Sequence, residues 1–405
     1  MRPINLTEPV PSEFKLFKPH QWPLFMLGFR PFFLLAGLWS VLAILLWQFI
    51  LNGTLSWQAQ IPATLWHAHE MIFGFASAVA IGFLLTAAQT WTGVPGLSGK
   101  GLITLSAIWV SCRAIFFFYA DNQLLLLLGQ IFFWLFAIAY LSHMLVSSAS
   151  KQNYIMIVVL ALLTLFNSAF LMSTWLGEYS FARLFTQLAV LGFMLLIGII
   201  GGRVIPFFTA RGLNRDEQVK TPKLDKLLLL FSLLAMTGFA SIKLFSLDIN
   251  VGLVLLPAAT LHLTRTILWF DKGVFKVPLL WSLHLGYFLS AVGILFLAFS
   301  YLTGQINPAD ALHLITIGGI GLMILAMMAR VSLGHTGRTL KPANMVAWAF
   351  AFIALSALVR SFMPIVYSPH LAWNISAYLW VVGFAIFLWF YTPILMKKRV
   401  DGRRG

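Results

Sequence analysis

Residues 66–88 read WHAHEMIFGFASAVAIGFLLTAA, and this stretch decides the fold class. From Met71 to Ala88 it carries no charged residue, and an apolar run of roughly 20 residues crosses the hydrocarbon core of a bilayer as a helix. Eleven further stretches of the same kind follow from the sequence. They run from Phe32 to Leu51, Leu102 to Ala120, Leu124 to Val146, Tyr154 to Leu176, Phe181 to Phe208 and Leu224 to Phe245. The last five run from Val251 to Phe270, Val277 to Leu302, Ala309 to Leu333, Met345 to Val366 and Leu371 to Met396. Glycine, proline and asparagine separate them, as at Leu51-Asn52-Gly53 and Asn307-Pro308. The fold class expected is therefore all-α, a polytopic membrane bundle of about twelve transmembrane helices.

Composition agrees. The chain has 405 residues, 60% hydrophobic and only 10% charged, where a soluble domain carries about 25% charged. One cysteine, Cys112, excludes a disulfide scaffold. The net charge of +15 would suggest nucleic acid on a soluble protein, but here it reads as topology, because lysine and arginine are retained on the cytoplasmic side of a membrane. Arg2, Lys15, Lys18 and Arg30, the Arg211–Lys226 loop, Lys272, Lys276, Arg338, Lys341 and the tail from Lys397 fall on one side if both termini are cytoplasmic. The segments 52–65, 177–180 and 303–308 have no basic residue. The expected layout is a cytoplasmic tail over residues 1–30 without a cleavable signal peptide, one transmembrane domain over 31–396 and a basic tail over 397–405. No nucleic-acid partner is expected; membrane lipids are.

Ionisable groups inside a membrane are costly and mark function by default. This topology puts His67, His69, Glu70, His313 and His370 near the outer ends of their helices, and His143, His262, His284 and His335 toward the inner ends. His20 falls in the tail. Two imidazoles and a carboxylate within one turn suit a metal, a haem iron or a proton path, while solvation of a helix start accounts for them equally simply. Residues two apart on a helix diverge by about 200°, so His67 and His69 point to two different centres. Aligning His69 with His313 brings Gly74 onto Gly318 and Thr92-Gly93 onto Thr336-Gly337. A third helix of the same direction, beginning at Gln187, repeats the polar start without a histidine. The second, sixth and tenth helices are thus equivalents, which suggests three arcs of four.

Twelve helices in three arcs, with histidines at the outer ends of the second and tenth, resemble the catalytic subunit of the haem-copper oxidases. That resemblance implies one haem b clamped between His69 and His313. It also implies copper-binding histidines on the sixth and seventh helices, which this sequence lacks. A closer resemblance, to the NnrS family, rests on Gly28-Phe29-Arg30-Pro31-Phe32-Phe33, Trp66-His67-Ala68-His69-Glu70-Met71-Ile72-Phe73-Gly74-Phe75 and Trp91-Thr92-Gly93. It continues through Gly201-Gly202-Arg203-Val204-Ile205-Pro206-Phe207-Phe208-Thr209 and Ala329-Arg330-Val331-Ser332-Leu333-Gly334-His335-Thr336-Gly337-Arg338. It implies a bacterial inner-membrane protein containing haem and copper, linked to nitric oxide metabolism and defence against nitrosative stress.

The residues then divide into roles. His69 and His313 are the expected haem ligands, His67 the ligand of a second centre, and Glu70 the proton carrier or orienting group. Arg113, Arg183 and Arg360 lie at the depth where haem propionates need cations, unless they reach the outer headgroups. His262 and His284, on adjacent helices, suit copper or a second haem, or are hydrogen-bonded interior histidines. No Cys-x-x-Cys-His offers covalent haem attachment, and no dinucleotide or Walker glycine loop appears. Three functions follow. The first is an oxidoreductase resembling a nitric oxide reductase, drawing electrons from quinol or another donor. The second is a secondary transporter, which would show a repeat relating helices one to six with seven to twelve. The third is a haem or copper sensor or carrier that binds nitric oxide without turnover.

Overall fold

The computed structural model describes residues 22–402. Arg2, Lys15, Lys18 and His20, together with Arg403 and Arg404, lie outside the described residues. Among the described residues there is no strand, and twelve helices are long and apolar enough to cross a membrane. They are α1 (Phe29–Leu51), α2 (Ala63–Thr92), α3 (Gly99–Phe118), α4 (Gln123–Ser147), α5 (Lys151–Trp175) and α6 (Tyr179–Gly212), followed by α7 (Pro222–Leu244), α8 (Val251–Trp269), α9 (Pro278–Thr303), α10 (Pro308–His335), α11 (Asn344–Val366) and α12 (Pro369–Met396). Helices α2 and α6 run four residues beyond the expected ends, to Thr92 and Gly212 instead of Ala88 and Phe208. Apolarity ends before the helix does, because the stop is set by backbone geometry. Gly93 closes α2 with φ +71°, a left-handed conformation that only glycine enters without steric cost.

Consecutive helices pack against one another, and α12 lies along α1, which closes the bundle. Helices α2 and α10 each touch α6 at the centre. In the most apolar stretches of α2, α6 and α10, 83%, 67% and 72% of residues are buried, against 28–56% in the other nine. The arcs α1–α4, α5–α8 and α9–α12 thus each contribute their second helix to the interior. The outer helices turn apolar stripes outward, as with Leu125, Leu128, Phe132 and Leu135 of α4, all 47% exposed or more. Such a surface is stable only in lipid, and the chain is a multi-pass membrane protein.

Two local features tie α2 to α10. Each carries one segment of π-helix, Glu70–Ala76 and Leu314–Gly321, and each segment begins at the residue after the aligned histidine. Such wide turns are rare and concentrate at functional sites. Both helices also end alike. Thr92 and Thr336 each donate a hydroxyl to the carbonyl four residues back at 2.6 Å, and Gly337 adopts φ +73° as Gly93 adopts +71°. At the inner side the fully buried Arg30 of α1 donates to the carbonyls of Leu395 and Lys397, both at 2.8 Å. It thereby satisfies acceptors that the end of α12 leaves open.

Candidate functional site

The outer half of the bundle holds two polar clusters, each built on one of the paired helices. In the first, His69 is fully buried. Its Nδ1 lies 2.9 Å from Glu70 Oε1 and its Nε2 2.9 Å from Asn167 Oδ1 on α5. Asn167 donates in turn to Gln130 of α4 at 3.1 Å. Phe116, Phe170 and Phe73 surround the imidazole, with ring centroids 4.7–5.3 Å away. The second Glu70 oxygen forms an ion pair with Arg113 Nε of α3 at 2.7 Å, with the N–H poorly aligned on it. Arg113 is 3% exposed, packs over the Trp109 ring, and its Nη1 and Nη2 have no hydrogen-bond partner. Gly74 makes room for this pair, since a Cβ there would stand 3.0 Å from Glu70 Oε2 and 3.2 Å from Trp39 Nε1.

The second cluster belongs to α10 and α11. His313 Nδ1 bonds the Ala309 carbonyl at 2.6 Å. A carbonyl only accepts, so Nδ1 carries the proton and a neutral ring presents its lone pair at Nε2. Arg360 pairs with Asp310 and lies over the Trp373 ring. His67 enters this cluster from α2. It stacks on Trp47 of α1, with centroids 4.7 Å apart at 22°, and stands within electrostatic reach of both Arg360 and His313. Its Nδ1 is buried without a partner.

The divergence expected of His67 and His69 is therefore present, because the π-helical segment begins only after His69. His67 stands within electrostatic reach of His313, whereas His69 turns toward α3 and α5 with both ring nitrogens engaged. The clusters repeat one pattern: a histidine at the start of the π-helical segment, an acid on the same helix, and an arginine on the next helix paired with that acid. The middle arc lacks it. There Gln187 faces Tyr301, whose ring carries Lys243 at 4.9 Å, and Arg183 is exposed at the start of α6.

The inner histidines are satisfied separately. His262 Nδ1 meets the Tyr287 hydroxyl at 2.7 Å, and Ser232 Oγ lies 3.4 Å from its Nε2. His284 Nε2 meets Thr209 Oγ1 at 2.8 Å. Beside His262, the buried Arg265 bonds Tyr287, the Gly198 carbonyl and Asp225. Its guanidinium passes so close to Gly202 that a Cβ there would lie 1.7 Å from Nη2, and a larger residue would push the guanidinium off its partners. His335 packs on Phe29, while His143 and His370 bond Ser147 and Asn374 at the surface. Among the described residues no three His, Cys, Asp or Glu side chains converge as a metal site.

Sequence reasoning missed Asp310, Asn167, Gln130 and Tyr287. The first three are polar residues inside apolar spans and carried a readable signal; the tyrosine did not stand out from the other aromatics.

A family model described as NnrS protein matches residues 23–399, nearly the whole chain. None of the curated proteins compared with it matches.

Proposed function

The chain belongs to the NnrS family, and on that premise we propose that it holds haem and copper near the outer ends of α2 and α10 and binds and removes nitric oxide at the bacterial inner membrane. The observation that carries this reading is that His67 and His313, on two central helices, stand within electrostatic reach of each other and of Arg360, with unmet buried polar atoms at the same ends of α1, α2 and α3. His67 Nδ1, both amide atoms of Gln48, Trp66 Nε1 and the Arg113 Nη atoms all lack partners there. Buried polar groups are ordinarily paired, so a concentration of unpaired ones fits a bound group that would satisfy them.

The residues present suit that group. Neutral imidazole binds both iron and copper. The Ala309 carbonyl fixes the His313 tautomer, as the outer partner of a metal-binding histidine characteristically does. Trp47 holds the His67 ring by stacking. Arg360 and Arg113 supply the cations that haem propionates require. When bound, haem supplies an iron that takes up nitric oxide and passes electrons toward its reduction. Glu70, held between His69 and Arg113, orients the imidazole and balances the guanidinium charge. On this reading His69 supports the site, in place of the haem-ligand role that the resemblance to the haem-copper oxidases implies.

The test is an optical spectrum with iron and copper analysis of the purified protein. His67→Ala and His313→Ala are each expected to lose most of the Soret absorbance, and His69→Gln to retain it. Full haem content and an unchanged Soret band in both alanine variants would sink the assignment. Consumption of nitric oxide with quinol or another reductant separates turnover from binding alone.

A further inference from the structure

Beyond the histidines along α2 and α10, these two helices and α6 line a half-open cavity of about 80 Å³, with Phe33 of α1 completing the wall. Its lining is apolar, with Ala76 and Ala80 on α2, Gly201 on α6, and Ile320 and Met327 on α10. The volume would admit about two waters at roughly 30 Å³ each, but a buried water needs two to four polar partners and this wall offers none. An ion would lose its hydration without compensation. A benzene-sized ring fills an engineered cavity of about 150 Å³, so this space is too small for a quinone head or a cofactor. What matches both size and polarity is a diatomic molecule or a rare-gas atom.

The position of the cavity is as specific as its lining. Its outer boundary is set by Ala76 and Ile320, each seven residues beyond its histidine (69 to 76 and 313 to 320), or about 10 Å along a helix axis. Both fall at the far ends of the two π-helical segments. Away from the histidines, the wall continues through Phe83, Ile200 and Ile324, which are apolar and partly exposed. The space thus lies between an apolar mouth and the two segments that begin at the histidines. Alanine at 76 and 80 keeps it open.

We propose that this cavity is a holding site for a small uncharged gas on its way to the histidine layer; that the gas is nitric oxide rests on the function proposed above. Xenon, an apolar gas, is the probe. Xenon-129 NMR of the purified protein, or a crystal pressurised with xenon, is expected to show one occupied site between α2, α6 and α10. Ala80→Phe should abolish it while leaving the haem spectrum and melting temperature close to wild type, and should slow nitric oxide association several-fold after flash photolysis. Ile324→Phe fills the space from the opposite wall and takes the place of Ala80→Phe should that variant fail to fold. The proposal is overturned if xenon does not bind, if binding survives both fillings, or if an acyl or isoprenoid chain occupies the space. The xenon measurement needs no cofactor, so its outcome is independent of whether His67 and His313 hold one.

Discussion

The α2–α3 and α10–α11 regions use the same three residue types at matching places, yet leave their histidines in opposite conditions. Glu70 follows His69 directly and Asp310 precedes His313 by three residues. The first offset lays the carboxylate against the imidazole, which together with Asn167 engages both ring nitrogens. The second sends the carboxylate to Arg360 and leaves the imidazole on a backbone carbonyl through Nδ1 alone. The position of one acid along a helix therefore decides whether a buried histidine is part of a polar network or available to a ligand.

That contrast can be broken most directly at the acids. Glu70→Gln leaves Arg113 buried beside a neutral partner, and removing one member of a buried ion pair costs about 3–5 kcal/mol. Asp310→Asn should cost less, about 2 kcal/mol, because the Arg360–Asp310 side chains are 12% and 11% exposed while Arg113 and Glu70 are 3% and 0%. It should instead alter the haem spectrum, which Glu70→Gln should change little in whatever protein still folds. Melting temperatures in detergent alongside absorption spectra check both; equal losses and equal spectra would erase the distinction.

The helix ends sharpen the comparison. A side chain at a left-handed position costs about 1–2 kcal/mol, so Gly93→Ala and Gly337→Ala should both lower the melting temperature. Gly337→Ala should lower it more, since its Cβ would meet Asp401 at 2.7 Å while nothing lies within 4 Å at Gly93. The smallest effect is expected outside the spans, at Asp271 in the loop between α8 and α9. The Gly273 backbone N–H, and then Arg215, hold this carboxyl below its ordinary value near 4. Its contribution is therefore present above the ordinary carboxylate range and disappears as pH falls through the lowered value. Asp271→Asn should lower stability slightly at neutral pH and flatten the acid dependence by the same amount, as thermal melts across pH would show.

How much of this was legible depends on what each feature is made of. The twelve spans were readable because lipid demands uninterrupted apolar stretches, and Trp66–Ala88 states that demand openly. The divergence of His67 from His69 followed from helical pitch alone. The π-helical segments left no compositional trace. Which histidine meets which was likewise hidden, because it depends on how α2 is turned between α5 and α10. Asn167 and Gln130 pointed to a partner for something, but only packing identified it as His69.

Arg30 carries a consequence for how the protein is made. Its guanidinium is fully buried near the start of the first span, and its two carbonyl acceptors lie 365 and 367 residues later in the chain. During synthesis from the N-terminus, α1 enters the bilayer long before those acceptors exist. A product that stops short of Leu395 keeps this cation without either one. The contact that closes the bundle therefore forms last: α1 and the end of α12 can be joined through Arg30 only once the final span has been made.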